Sequence, residues 1–142
     1  MRGNIKLLIR VITVSMVILV NSGYIVGAEE LIKGVSTAYC LQGITASGEI
    51  THEGICAGAK EYLGKTIEIY QRLPDNSLGC HLGTFQCLDT GNTKAIKKGT
   101  CIDVWMPNIN KCQQWMNKVY ADGCKGRIYF KIIEKSGLQI LK

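Results

Sequence analysis

The sequence predicts a small, mainly β domain, a barrel or sandwich of short strands carrying one or two short helices. Three observations predict it. Short β-prone runs recur between residues 35 and 133, turn-forming residues separate them at close intervals, and only one segment sustains helical periodicity.

Taken in order, residues 35–40 form a first β-prone run. Residues 59–63 read as a short helix ending at Gly64. In residues 66–71, Ile67 and Ile69 alternate with Glu68 and Tyr70, as in a strand with one buried face. Residues 85–88, 102–105 and 127–133 are further strands. Gly43, Gly48, Gly54, the Pro74-Asp75-Asn76-Ser77 cluster, Gly91-Asn92 and Lys98-Gly99 supply the turns. The convincing helix starts after Pro107-Asn108, places Ile109, Cys112, Trp115, Met116 and Val119 on one face, and stops at Asp122-Gly123. Trp115 and Met116 are then core residues that pack this helix onto the strands.

Ahead of the domain, Arg2, Lys6 and Arg10 precede an apolar run over residues 11–20, then Asn21-Ser22-Gly23 and the small residues of Val26-Gly27-Ala28. That order is a secretory signal over residues 1–28, with an uncleaved membrane anchor as its alternative. Residues 29–142 then form a single domain, and removing three basic side chains lowers the formal charge from +6 to +3. So mild a balance argues against a nucleic-acid partner.

All seven cysteines lie beyond residue 28, where export permits disulfides. Seven is odd, so at least one stays unpaired or pairs between chains, and about 105 arrangements of three links exist. Two guesses are Cys112 with Cys124, tying the helix to its following loop, and Cys80 with Cys87, crossing a hairpin. Zinc fits less well, since the only histidines are His52 and His81 and no cysteine pair has the spacing of a zinc clip. No metal or cofactor is expected.

Neither histidine belongs to a hydrolase triad motif, and no glycine-rich loop leads into a helix as in a phosphate cradle. The acids remain. Asp103 sits in the apolar run Cys101-Ile102-Asp103-Val104-Trp105. There it is either buried, with a raised affinity for its proton, or pointed outward by strand alternation. Asp89 belongs to Asp89-Thr90-Gly91, which also reads as a turn whose acid caps its own backbone.

Several motifs occur together in order: Thr37-Ala38-Tyr39, Thr45-Ala46-Ser47-Gly48, Gly54-Ile55-Cys56-Ala57, Leu63-Gly64-Lys65, Asp89-Thr90-Gly91, Ala95-Ile96-Lys97 and Ile102-Asp103-Val104-Trp105. This series resembles the 3D domain, named for three aspartates and similar to the catalytic barrel of membrane-bound lytic transglycosylase A. The resemblance runs from about residue 35 to 133. It implies a small six-stranded double-psi β-barrel and activity on the glycan strands of peptidoglycan outside the cytoplasm. By position, Asp89 matches the family's second aspartate and Asp103 its third. The first is replaced by Gly58-Ala59, with Glu61 as a nearby acid, and the stretch from Asp89 to Asp103 is longer than usual.

The resemblance implies that Asp103 is the acid and base of a lytic transglycosylase and that Asp89 supports it. Tyr39 and Thr45 are expected either to hold sugar hydroxyls or a site carboxyl, or to be a barrel aromatic and a turn hydroxyl. Lys97 is expected to meet a lactyl or peptide carboxylate, or simply to be solvated. Two other classes stay open: a non-catalytic, expansin-like glycan binder, and a hydrolase using Asp89 and Asp103 as paired carboxylates.

Overall fold

A computed structural model describes residues 30–134; the expected signal over residues 1–28 lies outside them. Six strands, β1 (Ile32–Tyr39), β2 (Ile55–Gly58), β3 (Thr66–Arg72), β4 (Leu78–Thr90), β5 (Cys101–Trp105) and β6 (Arg127–Ile133), close into a barrel in the order β1-β5-β2-β4-β3-β6. The β1–β5 and β2–β4 pairs are parallel, and the other four are antiparallel. β5 is thus inserted between β1 and β2, which the loop over residues 40–54 connects. Likewise β2 lies between β4 and β5, which residues 91–100 connect. Two such interleaved connections make a double-psi barrel. Closure leaves no free sheet edge.

Alternation along the strands divides the barrel wall into two faces. Inward go Ile67, Ile69, Ile102, Val104, Ile128 and Phe130, all fully buried. Each contributes roughly 1.5–3 kcal/mol by leaving water. Outward, on one side of the wall, Ile55, Leu88, Trp105 and Tyr39 form a smaller cluster beneath the loop over residues 40–54. At Gly58, the last residue of β2, a Cβ would stand 3.1 Å from Cys87 Sγ and 3.2 Å from the Tyr62 ring, so a larger residue would displace its neighbours.

Helix α1 (Lys94–Lys97) is one turn, capped by Thr93 Oγ1, which accepts from Ile96 N at 3.3 Å. Helix α2 (Ile109–Tyr120) begins where Asn108 Oδ1 accepts from Lys111 N at 3.0 Å. Its Cys112, Trp115 and Val119 are buried. Trp115 closes the barrel interior, packing edge-on against Phe85 at 5.3 Å and donating from Nε1 to Ser36 Oγ at 3.0 Å. Ile109, expected on that buried face, is 71% exposed, because its turn lies beyond the surface that Trp115 and Val119 cover.

The short helix expected over residues 59–63 is a single 3-10 turn, Lys60–Tyr62. The two disulfide guesses are corrected. The seven cysteines are free thiols. Cys80 and Cys87 sit on the one strand β4, roughly 20 Å apart along its axis and far beyond a disulfide's reach. Cys112 lies in the opening turns of α2 and Cys124 comes after the helix's end, about 10 Å or more of helix axis away.

Candidate functional site

The two aspartates come together through β2. Ala57 pairs with Asp103 of β5 on one side and with Asp89 of β4 on the other. The three residues form a row across the wall, with the acid Cα atoms two strand spacings, roughly 9–10 Å, apart. A bulge makes this possible: β2 steps from Cys56 to Ala57 while β4 steps from Cys87 to Asp89. The extra residue, Leu88, shifts the alternation of β4 by one, so Asp89 leaves the interior face of Cys87 and joins the outward face of Asp103.

Asp103 is the least buried residue of β5. Thr37, its partner on β1, donates from Oγ1 to Asp103 Oδ1 at 2.7 Å. Oδ2 accepts no hydrogen bond from the described residues. Burial pushes the Asp103 carboxyl above its usual range; the Thr37 bond pulls it down, and the charge of Asp89 adds to the rise. Both alternatives framed from the sequence therefore hold in part: the side chain faces outward, yet it is sufficiently desolvated to favour its proton. Cys101 Sγ lies 3.7 Å from Thr37 Oγ1. Since the hydroxyl's one proton goes to Asp103, the thiol is the donor in that contact.

Asp89 is held by three donors. Its Oδ1 accepts from Ala46 N at 3.0 Å and from Thr90 N at 2.9 Å, and its Oδ2 accepts from Tyr39 Oη at 3.1 Å. Burial first, then the charge and hydrogen bond of Asp89, push the Tyr39 phenol well above its ordinary range, so it remains a donor. The turn reading of Asp89-Thr90-Gly91 captures only the Thr90 contact; the others come from β1 and from the long loop.

Thr45 is 4% exposed, and its hydroxyl is engaged within that loop by Ser47 Oγ at 3.1 Å and Glu49 N at 3.2 Å. The structure thus places it as a turn hydroxyl that shapes the segment presenting Ala46 N to Asp89. Ser47 fastens the same segment to β4, donating from both N and Oγ to Leu88 O at 3.0 and 2.7 Å.

Lys97 stands apart from the acid row, on the rim of a cavity of about 420 Å³ that neither aspartate lines. The cavity adjoins the row at Ala46 and Thr90, the residues whose amides hold Asp89. Gly58 and Ala59 also line it, as do Lys60 and Glu61. Gly58 and Ala59 are nevertheless closely packed: a Cβ at Gly58 would stand 3.1 Å from Cys87 Sγ, and Ala59 is buried. The partner not singled out from the sequence is Thr37, although it opens the first of the ordered motifs and lies two residues before Tyr39 on the same face of β1.

No protein-family model, curated protein or solved structure matches this chain.

Proposed function

We propose that this chain is an exported lytic transglycosylase that cleaves the glycan strands of peptidoglycan. The observation that carries the reading is the asymmetry of the two carboxyl groups. Asp103 has an oxygen open to a ligand and a raised proton affinity, whereas all of Asp89's hydrogen bonding is directed to Tyr39, Ala46 and Thr90. One available acid suits a reaction that needs only one.

In that reaction Asp103 Oδ2 gives its proton to the oxygen bridging two sugars as the bond breaks and positive charge develops at the anomeric carbon. The resulting carboxylate then takes the proton of the same sugar's 6-hydroxyl, whose oxygen closes a 1,6-anhydro ring. No water is consumed, and Asp103 ends protonated. Thr37 fixes the Asp103 rotamer through Oδ1. Burial keeps the acid protonated, and the like charge of Asp89 adds to that. A paired-carboxylate hydrolase would need Asp89 to orient water or attack carbon, and three donors already occupy it.

A second reading, a glycan-binding barrel without catalysis, is favoured by one observation: glycine and alanine border a cavity where the family pattern has its first aspartate. Sacculus digestion separates the two. The proposal predicts that the protein releases soluble fragments and that Asp103→Asn lowers the rate about 100-fold or more, the scale of a lost general acid. Co-sedimentation with sacculi without fragment release supports the binder, and undiminished release by Asp103→Asn removes Asp103 from the chemistry.

A further inference from the structure

The cysteines that the sequence could not pair fall into three facing pairs in the fold. We infer that the oxidised protein carries the links Cys56–Cys87, Cys40–Cys112 and Cys80–Cys124, and that Cys101 is the unpaired thiol.

Cys56 and Cys87 are direct register partners on the parallel strands β2 and β4. Neighbouring strands lie about 4.8 Å apart, inside the Cα separation a disulfide requires. Both side chains are fully buried on the interior face, in one core cluster. This link sits one residue before the bulge that turns Asp89 outward.

Cys40 comes directly after β1, and two bonds hold that chain end against the junction of β5 and α2. Met106 N donates to Tyr39 O at 2.8 Å, and Trp105 Nε1 donates to Leu41 O at 2.9 Å. Cys112, in the opening turns of α2, is the thiol beside Cys40.

Cys80 reaches the far end of α2 through Gln71. Its thiol donates to Gln71 Oε1 at 2.9 Å, while Gln71 Nε2 donates to Lys118 O at 3.3 Å and Asp122 Oδ2 at 3.4 Å. Cys124 lies just past that turn and is fully buried. Cys101 instead faces Thr37 and Asp103, and no other thiol acts on it.

Each link forms when two thiols surrender two protons and two electrons to a disulfide oxidant, such as oxidised glutathione or an exchange protein, which is reduced to two thiols. In the cell this rests on the export in the proposed function; the pairing itself rests on geometry. The pairs fasten α2 to the barrel at both ends and join the strands behind the acid row.

The test is a disulfide map of the full chain refolded from its denatured, reduced state in a glutathione redox buffer and alkylated before digestion. Cleavage after Glu49 or Glu53 separates Cys40 from Cys56. Cleavage after Phe85 separates Cys80 from Cys87, after Lys111 separates Cys101 from Cys112, and after Lys118 separates Cys112 from Cys124. The expected result is three linked peptides, alkylation on Cys101 alone, and a Tm at least about 10 °C above that of the reduced protein. Any other connectivity, a link through Cys101, or seven alkylated thiols overturns the inference. Alkylation of intact cells is a separate arm: free thiols there, with the three links formed in the redox buffer, overturn export and leave the pairing standing.

Discussion

Asp103 is held in a state that opposes stability at neutral pH and that the proposed reaction would use. Its folded pKa is raised by burial and by Asp89, so the folded chain binds a proton more tightly than the unfolded one. The resulting stabilisation is complete below the unfolded carboxyl value and is lost as pH rises through the folded one. Asp103→Asn, which keeps an acceptor for Thr37 but carries no charge, should therefore raise Tm at pH 7 and lose that advantage near pH 3. Thermal melts across this range check it; a variant less stable at neutral pH would show that the carboxylate is a net structural asset. The same shift fixes the activity profile. Fragment release should fall as pH rises through the raised Asp103 value, and Asp89→Asn, which removes the like charge, should move that descending limb to lower pH. An unmoved limb would mean that Asp89 does not act on the acid.

At the scale of elements, the bulge at Leu88 and the loop over residues 40–54 build the site. Ser47 binds the loop to the bulged residue, so Ser47→Ala should cost about 1 kcal/mol and reduce fragment release, since Ala46 N then holds Asp89 less firmly. Unchanged kinetics would separate the loop from the site. As a control remote from the acids, Asn108→Ala removes the α2 cap and should destabilise by about 1 kcal/mol at unchanged specific activity, measured by denaturant unfolding and sacculus digestion. β3 and β6 were legible in the sequence, the former because Ile67 and Ile69 alternate with half-buried neighbours. β2 was not. Its four residues are all buried, so it has no alternation to read, and only a motif marks its place in the sequence. Yet Ala57 of β2 joins the two acids. The bulge was equally invisible, because a register step is a property of two strands and neither sequence carries it alone. Asp103 was singled out by its apolar run and Asp89 and Tyr39 by motif order, while Thr45's hydroxyl is turned into its own loop.

Over the whole molecule, the interleaved connections explain why residues so far apart in sequence meet. β1 brings Thr37 and Tyr39 beside β5, and β2 then separates β5 from β4, so that four strands each add one part of the site. The barrel interior and the Trp115 plug supply rigidity; the outward face carries the two acids. The central claim is that one carboxyl group performs both proton transfers, so the measurement that tests it most directly is mass spectrometry of the fragments released from purified peptidoglycan. Catalysis by a single acid predicts 1,6-anhydro-muramyl ends, each lighter by one water than a hydrolysed end. Fragments with ordinary reducing ends would contradict it and assign the reaction to paired carboxylates.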